Sequence, residues 1–407
     1  MEELKKIAKK GLLLLVLLAL LSLVYERFLF RGDARAFSEA AHLLHMVQDS
    51  ADILCLAESS DLTIADLDLE KRTTTQFLAQ HYPRLRVLPL AKGALHAGNY
   101  YDLLRNIPGS SPVKTIVVTM NLRSFDASWI HSKLETALQK EMVLLKPGPP
   151  LWRRFMLSLR NYEIKTEKEL AAAARAAWIQ DTLRFPYPFA YPNVVEWDSA
   201  MSWGKVARAA GQPPLSKEET ALACHYIKNF AFQIDPETNP RIRDFDRIAA
   251  LAQKRGWNLV FNLLPENLEM AQQLVGEDLT FLMRQNRDLL VQRYGNQPNV
   301  VVIDQLETLS NEDFIDQNWT TEHYFEHGRR KVAYRLAQAI ARWYPGQMQV
   351  PVNSINLNVK SFFDDCEGGV VWNQMQTRDA TRAHGGKWAS LTGSEKGALG
   401  ITLAYPI

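Results

Sequence analysis

Apolar positions along the chain follow two rhythms. From Gly11 to Tyr25 they form one uncharged, leucine-dominated run behind Lys5, Lys6, Lys9 and Lys10. Further on they contract into short β-branched runs: "DILCL" (52–56), "RVLPL" (86–90), "KTIVVTM" (114–120), "NLVFNLL" (258–264) and "NVVVID" (299–304). Amphipathic stretches lie between them, Lys71 to His81, Asn99 to Asn106, Ile242 to Arg255 and Leu279 to Tyr294, whose spacing predicts helices. Short, largely apolar runs of this kind are strands buried on both faces. Their alternation with helices predicts an α/β fold, a doubly wound three-layer sandwich about a parallel sheet. In such folds function collects in the loops after the carboxyl ends of the strands.

The third and fourth runs are separated by a long, mostly helical insertion, about 144–240, with an aromatic- and proline-rich centre, "PYPFAYPNVVEWDSAMSW". An insertion at the ligand-bearing end of a sheet suits a lid or substrate wall, where tryptophans and tyrosines stack on sugar rings. For any one of these side chains, a place in the insertion's own core is the simpler expectation. From Pro345 the helical period gives way to alternating short strands and glycine-rich turns, the opening of a β-sandwich in about 60 residues, too few to close one. The expected organisation is an N-terminal signal anchor (1–30), an α/β domain (31–344) and a short β-rich tail (345–407). "DARAFSEAAHLLHMVQDSA" is expected to be a stalk helix or the domain's first helix.

The leucine run after a lysine cluster is a targeting signal. Being somewhat short of a ~30 Å hydrocarbon core at 1.5 Å per residue, it leaves cleaved signal peptide and uncleaved anchor both open. The near-pure leucine composition, the lack of an A-x-A-like site and the interfacial aromatics of "YERFLFRG" favour a transmembrane anchor, with lysines inside and the bulk of the chain extracytoplasmic. Net charge is only +2 over 407 residues, with basic and acidic positions interspersed, so no nucleic-acid partner is expected. Cys55, Cys224 and Cys366 lie far apart without metal or disulfide spacing, and Cys55 reads as a small core residue. Neither a metal site nor a cofactor is implied.

Four loops carry candidate chemistry. The first strand runs into "AESSDL", where Ser59 stands at the carboxyl edge of the sheet beside the positive end of a helix, the setting of a nucleophile; on this stretch alone a helix cap by Ser59, Ser60 or Asp61 is simpler. After the second strand, Gly98 precedes a helix and its N–H suits an anion, or is a turn glycine. After the third, Asn121 has an amide to donate to an oxyanion, or makes a loop turn. After the last, His323 stands ahead of an amphipathic helix as a base for Ser59, or is an exposed loop imidazole like His327.

In order and placement these stretches resemble the SGNH (GDSL-like) hydrolase superfamily, over about 52–344. "MNLRSFDASW", "EHYFEHGRRKVA" and the anchor are closest in style to its DltD-type and polysaccharide O-acyl esterase or acyltransferase branches. The resemblance implies a flavodoxin-like sandwich with Ser59 as nucleophile, Gly98 and Asn121 as oxyanion donors and His323 as base. The first block is Ala57-Glu58-Ser59 where the family commonly has Gly-Asp-Ser, and Thr320 occupies the usual position of the acid. Asp316 is then expected to orient His323 through a bulged loop, with Glu322 the alternative acid. The implied function is an extracytoplasmic, membrane-anchored serine esterase or acyltransferase acting on O-acyl groups of cell-surface or exported glycans. The alternative is a catalytically inactive glycan-binding or scaffold protein with envelope-complex partners.

Overall fold

The computed structural model of the chain describes residues 2–29 and 51–350, apart from 144, 147–148, 163 and 207–212, together with short strands in the tail. Five strands, β1 (Ile53–Ala57), β2 (Val87–Ala91), β3 (Thr115–Met120), β4 (Asn258–Leu263) and β5 (Val300–Asp304), lie within a residue of the apolar runs that predict them. They form one parallel sheet in the order β2-β1-β3-β4-β5, with Cys55 opposite Pro89 and Val117, and Phe261 opposite Val302. The helices longer than one turn are α1 (Glu2–Val24), α2 (Thr74–His81), α3 (Ala97–Leu104), α4 (Leu134–Val143), α5 (Pro150–Ser158), α6 (Glu167–Gln180), α7 (Val194–Ser202), α8 (Lys217–Phe230), α9 (Pro240–Arg255), α10 (Leu268–Leu274), α11 (Glu277–Gly295) and α12 (Glu326–Ile340).

The apolar positions on both faces of the strands have a direct structural cause. Because successive side chains point to opposite faces, Leu54, Leu56, Ile116, Val118, Leu259 and Phe261 enter one core with α3, α8, α9 and α11. Ile53, Cys55, Val117, Val260 and Ile303 enter the other, against Phe77 and Leu78 of α2 and Val332, Ala333 and Leu336 of α12. Helices on both faces make the three layers, and the chain is an α/β protein of that class. Helix ends follow local chemistry: Thr73 and Gln76 make a capping box on α2, Ser216 and Glu219 one on α8, and Gly256 closes α9 at φ 68°.

The insertion is helical, and Phe185, Phe189, Tyr191 and Trp197 pack on one another, with Phe185 and Phe189 ring centroids 4.2 Å apart and Trp197 fully buried. These aromatics are not a separate core of the insertion: they continue the core on that face of the sheet, with Phe185 meeting Phe281 of α11 at 5.7 Å. At the N-terminus the helical segment from Lys5 to Leu29 is long and apolar enough to cross a membrane. The expected stalk helix lies outside the described residues. Of the tail, Asn353–Leu357 pairs antiparallel with Leu399–Leu403, and Arg378–Asp379 with Ala389–Ser390; the remainder of the expected sandwich lies outside the described residues.

Candidate active site

β1 ends at Ala57, and the chain turns at once into a single helical turn, Ser59–Leu62, capped by Glu58. None of Ser59, Ser60 or Asp61 caps it: the N-cap position is Glu58, whose side chain bonds none of the turn's free N–H groups, and Asp61 Oδ1 instead accepts from the Thr75 N–H at 2.7 Å, at the start of α2. Burial pushes the Asp61 carboxyl up to about 6 even against that bond. Ser59 is thereby left without a structural duty at the sheet edge. Its hydroxyl donates to Glu58 Oε2 at 2.8 Å.

The loop after β5 folds back on itself. The Ile315 N–H bonds to the His323 carbonyl at 2.9 Å, and Phe314 and Tyr324 form an antiparallel bridge. This narrow hairpin sets Asp316 beside His323, with Oδ2 2.7 Å from Nδ1, and Thr321 Oγ1 donates to the same oxygen at 2.5 Å. His323 Nε2 is buried and has no hydrogen-bond partner. A carboxylate on Nδ1 favours the tautomer that holds the proton there and leaves Nε2 able to accept one. Gly328, on the first turn of α12, permits the hairpin's close seat: a Cβ there would come within 3.0 Å of Tyr324 Cβ and 3.1 Å of Leu309 Cδ1. His327, by contrast, pairs through Nδ1 with Asp313 Oδ1 at 3.0 Å.

Glu322 does not face His323. Fully buried, it receives Arg123 Nη2 at 2.5 Å, while Arg123 Nη1 donates to the Thr320 carbonyl. Burial raises Glu322 against the pull of Arg123. Burial and Glu322 together drive Glu266, just past the end of β4, well above the usual carboxylate range. Arg123 also lies 4.5 Å over the Trp129 ring. This buried arginine and its acids join the ends of β1, β3 and β4 to the histidine loop.

Asn121 follows β3 directly, is nearly buried, and has an unpartnered Oδ1. It lines one cleft with Glu58, Ser59, Ala94, Leu95, Arg123 and Trp129. The structure therefore brings Ser59 and Asn121 to a common cleft and pairs His323 with Asp316. It does not join Ser59 to His323 by a hydrogen bond. Gly98 departs from expectation. Its N–H donates to His96 Nδ1 at 3.1 Å, and a Cβ there would meet Asp244 Oδ2 at 2.8 Å, so it is a close-packing residue between α3 and α9. The backbone that reaches the cleft from the second strand is instead the turn at Ala94, held at φ 63°, and Leu95.

That bond to Nδ1 also fixes His96 as neutral with Nε2 2.9 Å from Glu135 Oε1; burial first, then Arg241, lowers His96 to about 4. Although burial opposes its charge, Glu135 is held down to about 2 by His96 and Arg241, whose Nη2 donates at 2.6 Å. Sequence reasoning missed Arg123 and this trio. Arg123 has a signal, a charge three positions past an apolar strand. Glu135, inside "SKLETALQK", reads as a solvated helix face. A cavity of about 620 Å³ between Met201, Leu215, Gln273 and Glu277 contains none of the candidate residues.

No protein-family model matches the chain, and no curated protein matches it. Among solved structures, one described as "a putative platelet activating factor from Streptococcus pneumonia" aligns over 79% of this chain and 99% of its own, at 9% identity and a TM-score of 0.35.

Proposed function

We propose that the chain is an SGNH-type serine esterase or acyltransferase, anchored by α1 with its α/β domain outside the cytoplasm, acting on O-acyl groups of cell-surface or exported glycans. The observation that carries the reading is the His323–Asp316 pair, whose free Nε2 lies in the loop after β5, on the same sheet edge as Ser59 and Asn121. In the reaction Ser59 leaves Glu58 and turns to His323. Its Oγ bonds to the acyl carbonyl carbon while its proton passes to Nε2. The tetrahedral oxyanion takes hydrogen bonds from the Asn121 amide and the Ser59 N–H, with the turn at Ala94 and Leu95 in the place expected of Gly98. Collapse expels the sugar alkoxide, which receives the proton from His323, and leaves an acyl-enzyme. Water or a second sugar hydroxyl then accepts the acyl group. Trp319, half-exposed on the loop of His323 and tilted against His225 with ring centroids 3.9 Å apart, offers a sugar ring a face.

A second reading is favoured by one observation, the Ser59 bond to Glu58 instead of His323. In it the cleft binds glycan without chemistry, or the chain serves as an envelope scaffold. A fluorophosphonate probe separates the two. Catalysis predicts that the folded protein is labelled at Ser59 and that Ser59→Ala abolishes both labelling and release of acyl groups from a surrogate ester. Wild-type ester release by a clean Ser59→Ala preparation sinks the assignment.

A further inference from the structure

The short helix α5 presents an unusual face. Trp152, Phe155 and Leu159, at helical spacing i, i+3 and i+7, are 56%, 51% and 61% exposed, and the Trp152 and Phe155 rings lie 5.5 Å apart. The opposite side is fastened inward, where Arg153 donates to the Lys146 carbonyl. α5 packs against both α1 and the turn Tyr25–Leu29 that follows it. Arg154 donates to the Tyr25 hydroxyl at 2.5 Å. Around this contact Leu23, Phe28 and Leu29 are themselves largely exposed.

We infer that α5 lies in the headgroup region of the bilayer that α1 crosses, as a second lipid contact beside the anchor. The inference rests on the anchor reading of α1 and not on catalysis. With the lysine cluster at one end of α1, Tyr25–Leu29 emerges at the other, so the α5 contact fixes α5 at that interface. Its chemistry suits the place: tryptophan and phenylalanine settle at the acyl boundary while arginines meet phosphates. Arg154 and Arg160, both exposed, favour anionic phospholipid. A consequence follows for the cleft. α4, packed against α5, supplies Leu134, Glu135 and Leu138 to its wall, so the cleft opens beside the lipid surface and takes substrates presented there.

The test uses the full chain in nanodiscs containing phosphatidylglycerol, with Cys366→Ser removing the tail thiol. A fluorescent label is placed at Phe155→Cys, at Leu18→Cys in α1, or at Gln338→Cys on α12, across the sheet. Lipids spin-labelled near the headgroup should quench the dye at 155 roughly threefold or more beyond the dye at 338. Adding Trp152→Ser and Leu159→Ser should reduce that quenching. A label at 155 quenched no more than at 338, while 18 is quenched, overturns the inference and leaves the anchor standing; failure at 18 as well removes both. In the unmodified chain, amide exchange across 150–158 should slow in nanodiscs relative to amphipol, and equal rates also overturn the inference. That second measurement holds if the labelled variants misfold.

Discussion

Asp316 and Asp61 are both acids within the candidate site's first and last loops, yet they do opposite work. Asp316 holds His323 by its Nδ1 at 2.7 Å, so Asp316→Asn should turn the imidazole toward the wrong tautomer and lower kcat by about 10²–10⁴ with little change in KM. Steady-state kinetics on a surrogate ester, with probe labelling of Ser59, measures this; an unchanged kcat removes Asp316 from the mechanism. Asp61 instead keeps its proton in the fold, raised by burial from 3.8 to about 6. The unfolded chain releases that proton first, so the stability Asp61 contributes is present below about pH 4 and lost as pH rises through 6. Asp61→Asn retains an acceptor for Thr75 and cannot ionise. Its advantage over wild type in thermal or urea unfolding should therefore grow by roughly 2 kcal/mol between pH 4 and 7.5, at 1.36 kcal/mol per unit. At this scale the sequence marks residue types and placement but not partners. Asp316 was expected through a bulged loop. The role of Gly98 is not legible in the sequence, because a glycine near a helix start looks the same whether its missing Cβ admits an anion or a neighbouring helix.

Elements were more legible than residues. The strand runs carry the signature of double burial at every position, and β1–β5 follow from it within a residue. The buried arginine escapes such reading because the partners of Arg123 come from segments nearly 200 positions away, as Glu322 does. Helix α12 and the histidine hairpin show how one element steers another. Gly328→Ala gains about 1 kcal/mol in helix propensity, which offsets the crowding of Tyr324 and Leu309, so melting temperature should hardly move. The displaced hairpin should carry His323 with it, and probe labelling of Ser59 should slow at least tenfold, by about 1.4 kcal/mol of barrier. Normal labelling would mean that the hairpin adjusts without moving the imidazole.

For the molecule as a whole, α1 and the α/β domain are separable in the proposed function: one locates, the other reacts. Removing residues 1–29 should release the protein from membranes in a flotation assay while Ser59 labelling persists, and a truncated chain that still floats would mean that α5 or another surface suffices for attachment. The sheet's strand order has a different consequence, for the order of folding. β3 sits at the centre of the sheet, between β1 and β4, but about 140 residues, the insertion among them, separate it from β4. At roughly 5–20 residues per second of synthesis, the half-sheet β2-β1-β3 waits on the order of ten seconds or more with Thr115–Met120, buried at every position in the finished fold, as an open edge. An edge of that kind templates pairing between chains. Before β4 arrives, the newborn protein depends on whatever shields that edge, and overproduction should trap it there first.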